Sequence, residues 1–291
     1  MPEILTSCTT KLYADDSKQF GSRSRTDLRV AGLQRDLTSF ELWCRAWQLS
    51  INASKCEVLI IGLGVHLGIP IYTLGGQELE IQSCVKDLGV FVDTKLSFTT
   101  QISKIIAKAS SKIGMVYRAF TCRNCAFMVS MFITHIRPIL EYNCEIWSPS
   151  TLCDIDRIER VQRRFTKRIG GLYHKSYAER LVACGLETLE LRRLKRDLVL
   201  VYKILNNMIM LNMDDFFEFA VDRGLRGNSK KLYPKLARVN VVLNSFSYRV
   251  VNVWNSLDDD VVLSSSLSIF KSNLGKVENS LLRFLKGRAY T

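Results

Sequence analysis

The stretch Lys11-Leu12-Tyr13-Ala14-Asp15-Asp16-Ser17-Lys18 places two adjacent carboxylates after an aromatic and a small residue. Because Asp favours turns, this stretch predicts a hairpin with the two acids at its tip. Two carboxylates at one point repel each other unless a cation lies between them, and divalent metal sites use such an arrangement. In isolation, an Asp-Asp pair in a basic protein is also typical of a solvated turn, so the neighbouring sequence has to decide between the two interpretations.

Residues 27–47 follow as a long amphipathic stretch. Its apolar residues recur at three- and four-residue spacing, which predicts a helix with a broad apolar face. They are Leu28, Leu33, Leu37, Phe40, Leu42, Trp43 and Trp47. Beyond it, residues 57–61 form an extended run, and Gly75-Gly76 between two short segments predicts a hairpin. Residues 85–93 predict a last extended element.

The order of these elements resembles the C-terminal half of the palm of a reverse transcriptase from a non-LTR retrotransposon (LINE, jockey-like). Tyr13–Asp16 is similar to the second catalytic motif of that family, and Asn52 with Lys55 is similar to its Asn-x-x-Lys motif. Leu88-Gly89 resembles its primer-grip hairpin, which implies contact with nucleic acid. Further strings that carry the resemblance are PILEY at 138–142, WSP at 147–149, IERVQRRFT at 158–166, RR at 192–193 before DL at 197–198, WNSL at 254–257 and FK at 270–271.

The resemblance implies roles for four residues near the N-terminus. Asp15 would bind metal as a catalytic carboxylate with Asp16 as a weaker helper, and two Mg²⁺ ions would assist transfer to the primer 3′-hydroxyl. Lys55 would approach the leaving phosphate, and Tyr13 would pack beside the primer terminus. Without the motif, Lys55 is equally an exposed lysine at a strand start, and Tyr13 is a half-buried strand aromatic.

A polymerase of this class also needs a first catalytic aspartate on an earlier palm strand, together with the fingers. Only fourteen residues precede Asp15, so we expect a truncated element that begins just before the second catalytic motif. Without the missing aspartate the metal pair loses a shared ligand. We therefore expect negligible polymerase activity from this chain alone.

A formal net charge of +13 over 291 residues indicates a polyanionic partner. The resemblance implies that this partner is an RNA template with a DNA primer. Within residues 98–120, Lys104, Lys108 and Lys112 form a row at four-residue spacing beside an apolar stripe. The stripe comprises Ile102, Ile105, Ile106, Ala109, Ile113 and Val116. The resemblance implies that this helix starts the thumb, which follows the primer–template duplex. The alternative is a solvated lysine face.

A second basic helix is predicted over residues 154–169, with Gly170-Gly171 as its C-terminal signal. Its core-facing residues are Ile155, Ile158, Val161, Phe165 and Ile169, and its basic residues are Arg157, Arg160, Arg163, Arg164, Lys167 and Arg168. Arginine forks suit phosphates, so we expect nucleic-acid contacts from Arg160, Arg163, Arg164 and Lys167. The alternative is that some of these arginines pair with Asp156 and Glu159.

The nine cysteines are scattered, which favours free thiols in a reducing compartment. Cys122 and Cys125 have metal-ligand spacing, but Cys144 and Cys153 do not repeat it, so a structural zinc site is the weaker interpretation. No apolar run has the length of a membrane span, and no signal pattern opens the chain. We expect an intracellular protein, in the nucleus or the cytoplasm.

Beyond residue 172 the sequence predicts helices at 177–184, at 189–206 and around 268–286, with a basic loop or linker at 222–240. A content of 47% hydrophobic and 24% charged residues is ordinary for a globular protein. We expect an α+β fold with a small antiparallel palm remnant (1–95), a mostly helical thumb and connection-like region (96–221) and a C-terminal helical region (222–291).

Three functional interpretations remain open from the sequence. The chain is a reverse transcriptase fragment, a non-catalytic nucleic-acid-binding protein, or a decayed element with no selected role.

Overall fold

A computed structural model describes residue 5 and residues 7–21, 30–62, 71–220 and 228–288. It divides into two compact units, Met1–Ser97 and Phe98–Thr291, called here the N-terminal and C-terminal units. The fold is α+β, 55% helical with small sheets. The N-terminal unit comprises β1 (Thr9–Tyr13), β2 (Asp16–Phe20), α1 (Val30–Ala46), a 3₁₀ turn (Ala53–Lys55), β3 (Glu57–Leu59), β4 (Thr73–Leu74), β5 (Gln77–Glu78), β6 (Glu80–Gln82), β7 (Cys84–Asp87) and β8 (Val90–Asp93).

The predicted acid-tipped hairpin is present as β1 and β2. The strands pair antiparallel with Tyr13 opposite Asp16, so that Ala14 and Asp15 make the two-residue turn. Ala14 has a φ of 51°, which is the left-handed conformation that tight hairpin turns require. Nearly every residue of both strands is exposed. The hairpin is therefore held by its turn and by contacts at its base, and a buried face contributes little.

Polar side chains of α1 hold two other parts of the N-terminal unit. The buried Asp36 carboxylate accepts hydrogen bonds from the Ser7 and Cys8 amides at 2.9 and 2.8 Å, just before β1. The Gln34 side chain pairs with both backbone groups of Thr73 in β4, at 2.9 and 2.8 Å. Leu42 of the predicted apolar face is exposed, as is Trp47 just after the end of α1. Residues 27–29 lie outside the described residues.

The described strands of the N-terminal unit form four two-stranded sheets. The Gly75-Gly76 hairpin is confirmed as β4 paired with β5, with φ angles of 60° and 75° at the two glycines. Residues 85–93 form a hairpin rather than one extended element, because β7 and β8 turn at Leu88-Gly89. Three of these sheets are antiparallel, as expected, whereas β3 pairs with β6 in parallel.

The C-terminal unit is helical. Its first seven helices are α2 (Thr99–Ala119), α3 (Cys125–Met131), α4 (Arg137–Glu141), α5 (Cys144–Trp147), α6 (Leu152–Lys167), α7 (Tyr177–Cys184) and α8 (Leu189–Leu205). A π-helical turn, Phe132–Ile136, joins α3 to α4. After a 3₁₀ turn (Met213–Asp215) come α9 (Asn240–Leu243), α10 (Phe246–Arg249), α11 (Val251–Asn255), α12 (Asp259–Val262), α13 (Leu267–Lys276) and α14 (Glu278–Arg288).

The predicted apolar stripe of α2 packs in the core of this unit. Ile102, Ile105, Ala109 and Val116 are buried, whereas Ile106 and Ile113 are half-buried. The core aromatic Phe165 of α6 lies 5.0 Å from the Phe132 ring and 5.4 Å from the Tyr117 ring, measured between centroids. Helices α2 and α6 are therefore fixed against each other, which sets the positions of their basic faces.

Side-chain caps fix where the helices flanking this core begin. Thr151 caps α6 through the Asp154 amide at 3.3 Å, and Thr188 caps α8 through the Leu191 amide at 3.2 Å. Ser176 and Glu179 form a reciprocal capping box at the start of α7. These caps support the predicted helices at 177–184 and 189–206, which the structure places at Tyr177–Cys184 and Leu189–Leu205.

A second cluster of buried residues joins α8 to the last helices. Tyr202 stacks on Phe270 with 4.3 Å between ring centroids, and Trp254 is fully buried beside them. Part of the predicted linker belongs to this cluster: Asn228 and Leu232 are buried, and the Asn228 amide donates to the Trp254 carbonyl at 2.9 Å. The predicted final helix is two helices, α13 and α14, which meet at Val277.

Candidate nucleic-acid interface

The predicted metal pair lies at the tip of the β1–β2 hairpin. Asp15 is in the turn, Asp16 opens β2, and both are exposed, as is Tyr13. Carboxylate oxygens are the donors that Mg²⁺ prefers. In the described part of the chain, however, no three His, Cys, Asp or Glu side chains group as a metal site. The two acids therefore offer suitable oxygen donors but, with the other described residues, do not make a complete set of metal ligands.

The other predicted site residues of the N-terminal unit lie on separate elements. Lys55 ends the 3₁₀ turn and is exposed. Leu88 and Gly89 form the β7–β8 turn, with φ angles of 43° and 86°. An ion pair between Lys18 of β2 and Asp87 of β7 joins the two hairpins. Among the contacts of the described residues, none joins Lys55 to Asp15 or Asp16.

The lysine row of α2 lies beside the buried stripe, as the sequence predicts. Lys104 and Lys108 are exposed, and Lys112 is half-buried with its Nζ atom 4.0 Å from the Met115 sulfur. These positions are compatible with either a solvated face or a phosphate-binding face. The row by itself does not discriminate between the two.

The arginines in the middle of α6 are engaged by acids of the same helix. Asp156 accepts from Arg160 at 2.6 Å and from Arg163 at 3.0 Å. The hydrogen bond from Arg160, followed by that from Arg163, holds the pKa of the Asp156 carboxyl below its usual range. Arg157 pairs with Asp154 at 2.8 Å and donates to the Ser103 hydroxyl at 2.9 Å. Arg160 and Arg163 therefore pair with an acid of their own helix, which is the alternative to nucleic-acid contact that the sequence left open.

Glu159, the other acid considered as a partner, makes different contacts. Its carboxylate is buried and accepts hydrogen bonds from the Tyr177 hydroxyl and, at 2.9 Å, from the Leu189 amide. Burial raises the pKa of this carboxyl. Glu159 thus joins α6 to α7 and α8, and does not neutralise the exposed basic face.

Positive charge without an acidic partner collects at the C-terminal end of α6. Arg164, Lys167 and Arg168, called here the α6 basic end, are exposed. They line an open pocket of about 560 Å³ together with the Gly170-Gly171 turn and Tyr173. Arg164 and Lys167 were predicted from the sequence to contact nucleic acid, whereas Arg168 and Tyr173 were not. An aromatic residue two positions after the Gly-Gly turn was the signal that could have identified this pocket.

Tyr117 of α2 positions Arg168. The Arg168 guanidinium carbon lies 3.9 Å from the centroid of the Tyr117 ring, and that of Arg123 lies 4.9 Å from it. The Tyr117 hydroxyl donates to the Phe165 carbonyl at 2.8 Å inside the protein. Burial raises the pKa of Tyr117 to about 12, against the lowering effect of the two arginines. The ring is thus a fixed neutral platform for two cations.

All nine cysteines lie in the described part of the chain and are free thiols. The four residues considered for zinc are not brought together: Cys144 is buried in α5, Cys122 and Cys153 are exposed, and Cys125 lies beside Cys184 at 3.8 Å between sulfurs. Burial raises the pKa of Cys144 and of Cys184 to about 12.

Several of the motif residues behind the resemblance have structural positions. Arg192 forms an ion pair with Glu141. Arg249 donates two hydrogen bonds to the Asp197 carboxylate, each of 2.9 Å. Asp197 and Arg249 are almost fully buried, and burial raises the pKa of the Asp197 carboxyl. These motif residues hold α8 against α4 and α10 and do not form part of an exposed site.

No helix in the described ranges is both long and apolar enough to cross a membrane.

Comparisons with known proteins give relatives but no family model. No protein-family model and no solved structure matches the chain. The chain is 25% identical over 162 residues to the "RNA-directed DNA polymerase from mobile element jockey" of Drosophila melanogaster, which covers 55% of this chain and 18% of that protein. It is 28% identical over 156 residues to the "Probable RNA-directed DNA polymerase from transposon X-element" of the same species, 51% of this chain and 17% of that protein.

The chain is similar to retrotransposon RNA-directed DNA polymerases. This confirms the resemblance predicted from the sequence. A third relative, an uncharacterized protein of Caenorhabditis elegans, is 25% identical over 44% of this chain and 67% of its own length. About half of this chain therefore aligns with less than a fifth of the length of each named polymerase.

Proposed function

We propose that the chain is a fragment of the RNA-directed DNA polymerase of a non-LTR retrotransposon, and that its C-terminal unit binds RNA and DNA. The similarity to the jockey and X-element polymerases carries this proposal. Residues 1–95 would be part of the palm, residues 96–221 the thumb and a connection-like region, and residues 222–291 a C-terminal helical region. RNA template and DNA primer would be the partners.

The charge distribution of the C-terminal unit supports nucleic-acid binding. The α6 basic end presents three cations side by side, and the lysines of α2 lie on a helix packed against α6. Binding by several cations releases condensed counterions from phosphates, which supplies most non-specific affinity for nucleic acid. Arg164, Lys167 and Arg168 would therefore contribute more than Arg160 and Arg163, which share Asp156.

Substitution of two of these cations tests the proposed surface. Arg164→Ala with Arg168→Ala should weaken binding of a labelled RNA–DNA duplex about tenfold at low salt, because two phosphate contacts are lost. Lys271→Ala with Arg283→Ala removes the same charge from exposed positions of α13 and α14 and is the matched control. Equal losses in the two double variants would show that net charge, and not the α6 basic end, determines binding.

In this proposal Asp15 and Asp16 are the catalytic and metal-binding pair, with Mg²⁺ as the metal, and Lys55 is the third catalytic residue. When bound, the metal would supply charge stabilisation for phosphoryl transfer. The carboxylates would supply oxygen ligands, and Lys55 a cation for the leaving phosphate. Leu88, Gly89 and Tyr13 would contact the primer.

We expect the isolated chain not to extend a primer, because its described residues offer only two adjacent carboxylates for the metal. The measurement is extension of a labelled primer on an RNA template with Mg²⁺ and nucleotides. The chain with both Asp15→Ala and Asp16→Ala is the control. Extension above that control would contradict the expected inactivity and would support a working catalytic pair.

The second candidate function is a nucleic-acid-binding protein without polymerase activity. The exposed and incomplete acid pair favours it. Binding with no extension, even when the upstream part of a related polymerase is supplied as a separate chain, would support this candidate. Extension restored by that addition would support the polymerase fragment.

A further inference from the structure

The pocket at the α6 basic end combines positively charged side chains with an exposed aromatic ring. Its volume of about 560 Å³ is within the usual range for small-ligand sites. Cations line one part, and Tyr173 lines another. We propose that this pocket holds one unpaired nucleotide of a single strand, with its phosphate on the cations and its base stacked on Tyr173. This inference rests on the proposed function, since it requires that the C-terminal unit binds nucleic acid.

The cations of the pocket are available for a phosphate. No acidic side chain is among the residues that line it. The carbonyls at the end of α6 would oppose an anion, but two of them already accept hydrogen bonds. Phe165 accepts from the Arg168 amide at 3.1 Å, and Thr166 accepts from the Ile169 amide at 3.3 Å. The three positive side chains therefore dominate the local charge.

Tyr173 presents an aromatic surface to solvent in the same pocket. Its side chain is 63% exposed, although a ring of this size is usually at least half-buried. Lys167 Nζ lies 5.1 Å from the ring centroid, and the His174 ring meets it edge-on at 5.1 Å. Proteins that bind single strands stack successive bases on exposed aromatic rings next to basic grooves. This arrangement has both components within one pocket.

The Gly170-Gly171 turn brings Tyr173 back to the end of α6. The Gly170 amide donates to the Arg123 carbonyl at 3.0 Å, and a Cβ atom at Gly170 would lie 3.0 Å from that oxygen. Gly171 has a φ of 76°, which side-chain-bearing residues rarely adopt. Both glycines are thus needed for the close turn, so the position of Tyr173 relative to Arg168 is built into the fold.

The pocket favours an unpaired nucleotide over a duplex. In a duplex the faces of internal bases are covered by their neighbours, so a single exposed ring gains little. In a single strand every base offers a face for stacking, whatever its identity. Tyr173 should therefore contribute to single-strand binding with little sequence preference, and hardly at all to duplex binding.

The test measures binding of the full chain to labelled 12-nucleotide strands of RNA and of DNA, and to a blunt duplex. Tyr173→Ala should weaken binding of the strands roughly 5- to 100-fold, the range expected for loss of one stacked base. Tyr173→Phe retains the ring and should bind the strands about as tightly as the unchanged chain. Duplex affinity should change less than twofold in both variants. Because Tyr173 is exposed, thermal unfolding of both variants should match that of the unchanged chain.

The outcomes separate this inference from the proposed function. If Tyr173→Ala weakens binding of the RNA or the DNA strand and Tyr173→Phe does not, the nucleotide pocket is supported, and the strand affected shows which sugar it accepts. Strong binding that Tyr173→Ala leaves unchanged overturns the pocket while the proposed function stands. Failure of the unchanged chain to bind any strand or duplex overturns both.

Discussion

Asp156 determines how much of the positive charge of α6 is available to a phosphate. One carboxylate engages two guanidinium groups, those of Arg160 and Arg163, and all three side chains are partly exposed. Exposed ion pairs of this kind contribute little to stability, because water screens both charges. In the proposed nucleic-acid binding these pairs would therefore matter more than they do in folding, because each guanidinium that leaves Asp156 would become available to a phosphate.

Replacing Asp156 by Asn should strengthen nucleic-acid binding roughly two- to tenfold at low salt, because it removes a negative charge and frees two arginines. The dependence of log affinity on log salt should become steeper by about one for each arginine that gains a phosphate contact. The measurement is fluorescence anisotropy of a labelled duplex. Asp214→Asn, at an exposed position of the Met213–Asp215 turn, makes the same charge change as a control. Equal gains in both variants would mean that Arg160 and Arg163 do not reach phosphate.

Tyr117 gives a prediction for high pH. Its pKa is raised from 10.0 to about 12 by burial, so between these values the folded protein keeps a proton that the unfolded chain loses. The stability due to this group is therefore complete below about pH 10 and is lost as pH rises through the folded pKa. The loss is at most about 1.4 kcal/mol per pH unit.

Tyr117→Phe retains the ring under Arg168 but removes the hydroxyl. It should cost about 1 kcal/mol at neutral pH, because the hydrogen bond to Phe165 is lost. The advantage of the unchanged protein over Tyr117→Phe should shrink and then reverse as pH rises from 10 to 12 in urea unfolding, because the loss on ionisation over that interval exceeds the contribution of the hydrogen bond. A constant difference across that interval would contradict the buried neutral phenol.

The sequence predicted the position or partner of a residue well where neighbouring residues along the chain determine it. The Asp15-Asp16 turn follows from turn chemistry, and the structure places it at a hairpin tip. The partners of Arg160 and Glu159 were not equally predictable. Asp156 lies one helical turn before Arg160, whereas Tyr177 and Leu189 lie 18 and 30 residues after Glu159. Sequence spacing indicates the first kind of contact and carries no information about the second.

At the scale of elements, the same distinction separates hairpins from longer pairings. Gly75-Gly76 predicts the β4–β5 turn because both glycines adopt positive φ. The parallel pairing of β3 with β6 joins strands more than 20 residues apart, and no turn residue encodes it. The loop residues Asn228 and Leu232 are buried by α11, a contact that composition alone does not show. The sequence therefore indicated the elements more reliably than their partners.

The packing of α3 against α7 gives a covalent test of the C-terminal unit. Cys125 and Cys184 have their sulfurs 3.8 Å apart, so small side-chain rotations bring them to the roughly 2 Å of a disulfide. Hydrogen peroxide should link them: the two thiols lose two protons and two electrons as the S–S bond forms, and the peroxide takes up both and leaves as two waters. Peptide mass spectrometry after proteolysis should find the linked pair.

Cys122→Ser is the control for this cross-link, because Cys122 is the exposed thiol three residues from Cys125. The Cys125–Cys184 link should persist in that variant and raise the melting temperature of the oxidised protein. A dominant Cys122–Cys125 link in the unchanged chain, or no link to Cys184 at all, would contradict the described packing.

At the scale of the whole molecule, the chain has two units with different proposed tasks. The N-terminal unit carries the exposed acid pair on a small hairpin, and the C-terminal unit carries a well-packed helical core with a basic end. The similarity to jockey and X-element polymerases gives both units one proposed origin. Of the two tasks, nucleic-acid binding depends only on surfaces that the described residues contain.

The most direct test of that claim is the salt dependence of binding. Affinity of the full chain for a labelled 12-nucleotide strand is measured from about 50 to 300 mM salt, a range over which phosphate contacts dominate. If Arg164, Lys167 and Arg168 each contact a phosphate, log affinity should fall with log salt with a slope of about −2 or steeper. The variant lacking all three charges should lose about two units of that slope. A flat dependence, or a slope that the triple variant leaves unchanged, would contradict the account.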